Sequence, residues 1–128
     1  MAQENYIHPP VTPETKEFWD ATKQGKLLVA KCPDTGKYIW WPRRVSPFTG
    51  KSNMEYVEAK GTGTVYSYSV MRRAASPYCI AYVTLDEGPT MMTNIVNTDY
   101  DTVKIGMKVK VTFKKLNDDA CLPLFEPA

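Results

Sequence analysis

The chain has little of what most enzymes use to move protons or hold metals. Its 128 residues include one histidine, His8, and three cysteines, Cys32, Cys79 and Cys121. An activated nucleophile needs a base beside it, and the lone imidazole sits in a proline-bearing N-terminal stretch with no second histidine to serve the thiols. No catalytic residue is assigned. Three scattered cysteines make no disulfide framework and fit a reducing compartment, which points to the cytoplasm. Cys79 falls within a strand pattern and Cys121 at a strand start, where buried structural thiols are the expected role. No apolar run approaches the 18 or so residues of a membrane span, so no membrane partner is expected. The opening residues Met1-Ala2-Gln3-Glu4-Asn5 lack the basic start and apolar core of a secretory signal. A net charge of +2 is too small to argue for nucleic acid by bulk electrostatics, and no glycine loop suited to cradling phosphate occurs.

What the chain does have is a small phrase written twice. Cys32-Pro33-Asp34-Thr35-Gly36-Lys37 returns fourteen residues later as Ser46-Pro47-Phe48-Thr49-Gly50-Lys51. Two turns of this form, joined by a short aromatic and basic segment, match the two knuckles of a zinc ribbon, whose ligands sit two residues apart on each knuckle. The four ligand positions are Cys32, Thr35, Ser46 and Thr49, and only the first is a thiol. A hydroxyl stays protonated near neutral pH and is a poor zinc ligand. The reading is a degenerate, metal-free ribbon with zinc not expected.

The rest of the chain divides into an arm and helix over residues 1–25, the ribbon over 26–53 and a β domain over 54–128. Residues 1–11 carry Pro9-Pro10 and read as an extended arm. Thr12-Pro13-Glu14 opens a helix expected over 13–23 and stopped near Gly25, with Phe18, Trp19 and Thr22 on one face. So short a helix must dock, either on its own domain or on a partner. Leu27-Leu28-Val29-Ala30 is a strand. Tyr38-Ile39-Trp40-Trp41-Pro42-Arg43-Arg44 is the most aromatic stretch.

From residue 54 the pattern is β. The glycines of Gly61-Thr62-Gly63 suit a bend. Thr64–Arg72 alternates, with Val65, Ser67, Ser69 and Met71 on one face and Tyr66, Tyr68 and Val70 on the other. Strands follow at 78–85, 91–96, 109–113 and 122–125, with a helical turn after the third. Five strands so arranged predict a small Greek-key barrel of the OB type, a generic β-sandwich being the alternative. Ile105-Gly106-Met107 delivers the chain into its last alternating strand pair.

Together these phrases resemble one family. Phe18-Trp19, Gly25-Lys26-Leu27, Pro42-Arg43, Gly63-Thr64-Val65-Tyr66-Ser67, Leu85-Asp86-Glu87-Gly88-Pro89, Thr93-Asn94-Ile95-Val96 and Ile105-Gly106-Met107, ending in Leu122-Pro123-Leu124-Phe125, are similar to the OB-fold proteins with a rubredoxin-like zinc ribbon known as domain of unknown function 35. The resemblance covers about residues 13–127. It implies a non-catalytic accessory subunit of a hetero-oligomer, partnered with a thiolase-like protein (a thiolase, acyltransferase or aldolase acting on CoA thioesters of lipid or aromatic acyl metabolism), sometimes beside a hot-dog-fold hydratase. It also implies that ribbon and helix meet the thiolase-like partner and that the barrel helps form the CoA passage.

Candidate residues follow. Phe18, Trp19, Tyr38, Trp40 and Trp41 are candidates for a partner interface. Arg43, Arg44, Lys60, Arg72 and Arg73 are candidates for the phosphates of a CoA thioester. At least half of Tyr66, Tyr68, Tyr78 and Tyr82 are expected in the core, with the others on a barrel face lining the acyl or pantetheine chain. Asp86 and Glu87 are turn carboxylates expected to be solvated or capping. Two other readings stay open: a stand-alone acyl-CoA-binding barrel, and a single-stranded nucleic-acid module that stacks bases on its aromatics.

Overall fold

The computed structural model describes residues 8–128. Most of the expected N-terminal arm, residues 1–7, lies outside the described residues. Helix α1, Lys16–Lys23, starts three residues later than the sequence suggests. Thr12 and Thr15 spend their hydroxyls on each other, 2.9 Å apart, and on each other's backbone N–H groups. This closes a separate turn ahead of the helix. At the far end Gly25 takes φ +74°, and the Lys26 N–H reaches back 3.0 Å to the Ala21 carbonyl. That left-handed stop favours glycine. Phe18, Trp19 and Thr22 form the buried face, as their spacing predicts.

Three short strands make the ribbon sheet: β1 (Leu28–Lys31), β2 (Tyr38–Ile39) and β3 (Glu55–Glu58). β1 lies between the other two, antiparallel to both. The sheet therefore takes in residues 55–58, past the knuckles. β4 (Thr62–Met71), β5 (Tyr78–Leu85), β6 (Thr90–Ile95), β7 (Lys108–Lys115) and β8 (Cys121–Pro127) follow. They close a barrel in the order β4-β5-β6-β8-β7, with a 3-10 turn at Tyr100–Thr102 between the third and fourth strands. This is the expected five-stranded barrel.

Closing so small a barrel needs local devices, and each is legible in its residue. At Gly61, φ is +79° and an added Cβ would sit 2.6 Å from the Val111 Cγ1; at Gly63 it would sit 2.7 Å from the Thr84 carbonyl. Only glycine allows the strands to approach this closely. The Gly106 turn donates to the Val65 carbonyl, and the Val65 N–H donates to the Met107 carbonyl, both at 2.9 Å. β4 departs from the expected alternation. A bulge between Val65 and Ser67 puts Val65 opposite Val83 but Ser67 opposite Tyr82. The extra residue bends the strand and switches the faces. Val65 and Val70 thus share the side of Val83 and Cys79, while Ser67, Ser69 and Met71 share the side of Tyr82, Ile80 and Tyr78.

One core runs through both parts. Phe18, Trp19, Leu27 and Val29 from the helix and β1 join Val65, Val83, Leu85, Ile95, Val109 and Phe125 of the barrel. Ala30, Cys32 and Met54 form a small separate cluster under the knuckles.

Candidate functional site

The knuckles share one backbone conformation. In the first, the Cys32 N–H donates to the Lys37 carbonyl (2.8 Å) and the Gly36 N–H to the Cys32 carbonyl (2.7 Å). In the second, Ser46 donates to Lys51 (2.8 Å) and Gly50 to Ser46 (2.9 Å). Gly36 and Gly50 adopt φ of +72° and +75°. Thr35 and Thr49 each turn a hydroxyl back to accept the N–H two residues on, from Lys37 and Lys51 at 3.3 and 3.2 Å, the turn-closing role their residue type predicts. The two leading residues meet: the Ser46 hydroxyl donates to the Cys32 Sγ across 3.2 Å, and both are buried. This bond, helped by Thr35, holds the Cys32 thiol below its ordinary pKa.

Zinc does not fit this donor set. One thiol and three hydroxyls do not make a tetrahedral zinc site. No group of three or more histidines, cysteines or acids capable of holding a metal occurs among the described residues.

Rings of the helix and of the segment between the knuckles join in one aromatic cluster. Phe18 is at its centre, 4.9 Å from Trp19, 5.4 Å from Trp40 and 4.5 Å from Trp41 between ring centroids, with Trp40 and Trp41 5.2 Å apart. Phe18 and Trp19 are 0% and 5% exposed, buried within this chain. Tyr38, Trp40 and Trp41 are half-buried and carry the cluster to the surface.

The basic candidates fall in three places along the chain: Arg43 and Arg44 before the second knuckle, Lys60 ahead of β4, and Arg72 and Arg73 after it. Arg44 lies with its guanidinium 4.4 Å from the centre of the Tyr56 ring, and its N–H donates to Glu14. Arg43 is exposed beside it. Arg72 pairs with Asp101 at 2.5 Å, and Arg73 follows in the same turn. Lys60 and Arg72 stand at opposite ends of the ten-residue β4, roughly 30 Å of extended chain. Asp86 takes the hydroxyl of Thr62, and Glu87 takes the backbone N–H of Lys60 at 2.8 Å. Both turn acids hold the chain at the entrance to β4.

The four tyrosines correct an expectation. None is core: Tyr66, Tyr68, Tyr78 and Tyr82 are 68%, 40%, 41% and 49% exposed. The bulge turns Tyr66 outward. Beyond Tyr82, its β6 partner Met92 is 57% exposed. Tyr66, Tyr78 and Tyr82 with Met71 and Met92 therefore make an aromatic and thioether strip across the outside of β4, β5 and β6, while Tyr68 lies on the other side of β4, opposite buried Ala81. Sequence reasoning passed over Met92, whose outward place follows from alternation with buried Met91 and Thr93. Beside the strip a groove of about 130 Å³ runs between β6 and β8, lined by Ile80, Met92, Leu122 and Pro123 among others. A larger cleft of about 440 Å³, lined by Asn97, Thr112, Phe113, Lys114 and Lys115 among others, was not anticipated either.

Comparison with known proteins fits this architecture. Residues 19–45 match the family described as ChsH2, rubredoxin-like zinc ribbon domain, and residues 56–114 the one described as ChsH2, C-terminal OB-fold domain. A "DUF35 domain-containing scaffold protein" of Methanothermobacter thermautotrophicus is 30% identical, over 83% of this chain and 86% of that protein. The chain belongs to the DUF35 family. Another relative of this DUF35 chain, a "Probable enoyl-CoA hydratase alpha subunit" of Thermomonospora curvata, is 34% identical over 93% of the chain. The chain spans only 39% of the length of that relative. A solved structure described as "Ltp2-ChsH2(DUF35) aldolase" contains a chain 31% identical to this DUF35 protein, with a TM-score of 0.81 over 94% of this chain and 98% of that one.

Proposed function

We propose that this DUF35 chain is a non-catalytic subunit of a hetero-oligomer, docked on a thiolase-like enzyme of CoA thioesters and helping to enclose the passage for the CoA and acyl chain. The observation that carries the reading is the likeness over nearly the whole chain to the DUF35 component of a structure described as an aldolase. The names of its relatives, a scaffold protein and a hydratase alpha subunit, support a partnered role. So does the surface. A self-contained barrel has no need of three tyrosines and two methionines on its outer face, whereas aromatic and methionine side chains are enriched where proteins meet.

In this reading Tyr38, Trp40 and Trp41 form the docking edge, backed by Phe18 and Trp19 from within. Arg43 and Arg44 flank that edge and present bidentate donors to a phosphate arriving there. Arg72 and Arg73 lie at the far end of β4 from Lys60, and a phosphate arriving there is met by that pair. The tyrosine strip lies on the outside of the barrel, and a pantetheine chain resting on it becomes enclosed when the partner covers that face. A hot-dog-fold hydratase belongs to the same assembly as a further partner.

The test is co-expression with a thiolase-like protein from the same genome. A stable complex is expected, with activity that depends on this chain. If both proteins fold, elute separately and the partner is fully active alone, the reading fails. Within the complex, Tyr66→Ser with Tyr82→Ser is expected to raise KM for acyl-CoA about tenfold, equivalent to about 1.4 kcal/mol.

A further inference from the structure

We infer that this ribbon is closed by a hydroxyl hub at Ser46, in the place where the zinc-ribbon fold calls for a metal, and that its two knuckles keep a backbone ready to receive one. A hydroxyl has one proton and two lone pairs, and all three are committed at Ser46. It accepts from the Phe48 N–H at 3.2 Å and the Thr49 N–H at 3.3 Å, and donates to the Cys32 Sγ at 3.2 Å. No lone pair is left for a cation. Thr35 and Thr49 have likewise turned their hydroxyls to their own turns.

The backbone tells the other half. Both knuckles repeat the same pair of main-chain hydrogen bonds within about 0.2 Å of each other, and both place glycine at nearly the same positive φ. The amides that converge on the Ser46 Oγ would converge equally on a thiolate placed there. The ribbon has lost its ligands without losing its turns.

Measurements on the wild type and on two variants test this. In the wild-type chain, metal analysis is expected to find zinc far below one equivalent, and a chelator to leave the melting temperature unchanged; stoichiometric zinc or a chelator-induced drop overturns the hub. Ser46→Ala is expected to lower the melting temperature by about 3–8 °C, the shift expected from one buried hydrogen-bonding group in a domain of this size; an unchanged melt overturns it. Should that variant not fold, amide exchange in the wild type decides. Phe48 and Thr49 are expected to be protected, and free exchange at both refutes the hub. The triple variant Thr35→Cys, Ser46→Cys and Thr49→Cys is expected to take up one zinc per chain, with a melt that falls on chelation. A folded triple variant that binds no zinc or cobalt overturns the metal-ready backbone.

Discussion

β5 of the barrel and the first knuckle of the ribbon each hold one fully buried cysteine, and the surroundings of the two thiols differ in kind. Cys79 sits among Ala81, Val83, Met91 and Ile95, in a core that closes on itself because five strands leave no open edge. Cys32 has Ala30 and Met54 for fully buried apolar company. What shapes its surroundings is turn chemistry: two glycines at positive φ, two threonines folded on their own backbones and one serine hub. The barrel is held by side-chain volume, the knuckles by backbone conformation, with β1 and the aromatic cluster tying the ribbon to the common core. Substituting three ligands can therefore remove the metal from a ribbon and leave its outline, whereas no comparable loss is open to the barrel.

The largest expected effect separates the two directly. Phe125 is fully buried on β8 opposite Val111, and Phe125→Ala should cost about 3–5 kcal/mol, a large part of a total stability on the order of 5–15 kcal/mol. Because Phe18 and Trp19 share that core, denaturant unfolding followed by tryptophan fluorescence and by far-ultraviolet dichroism should shift together. A tryptophan signal that stays native while the barrel melts would make the ribbon an independent fold and break the comparison.

A smaller effect contrasts two glycines of similar φ. Gly61 (+79°) has Val111 against it, whereas Gly36 (+72°) has open space where a Cβ would go. Each replacement by alanine incurs about 1–2 kcal/mol for the left-handed backbone, and Gly61→Ala adds about 1–3 kcal/mol of overpacking. Gly36→Ala should thus cost clearly less in an equilibrium denaturation. Equal losses would mean that packing, too, governs the knuckles.

How much of this was legible beforehand follows the same divide. The five strands, the 3-10 turn after the third and the paired knuckles were readable because alternation and turn residues act over a few neighbours. The bulge at Tyr66 was not: one unpaired residue leaves no mark in an alternating pattern, and it turned the expected faces of β4 around. The tyrosines were misjudged for that reason and because an aromatic strand residue is more often buried than displayed. The basic residues could be named but not grouped, since the distance between Lys60 and Arg72 depends on where each falls along β4. The helix start was off because Thr12 and Thr15 satisfy each other first.

The mildest test changes no residue. Thiol labelling of the native chain should modify half-exposed Cys121 first. Cys32 should follow by local opening of its small cluster, and Cys79 last, near the limit set by global unfolding, with Cys32 about tenfold or more ahead of Cys79, since local opening costs less than unfolding a core. pH sharpens the order. Hydrogen bonding from Ser46, then Thr35, lowers the Cys32 pKa, so its contribution to closure is present above the ordinary thiol value, about 8.5, and is lost as pH falls through the depressed value. Burial raises the Cys79 pKa, so its contribution is present below the ordinary value and is lost as pH rises through the raised one. Opening at Cys32 should therefore become harder and opening at Cys79 easier between neutral and alkaline pH, narrowing the gap in their rates once the common thiolate chemistry is divided out. A gap that widens would place the Ser46 hydroxyl elsewhere than on the Cys32 sulfur.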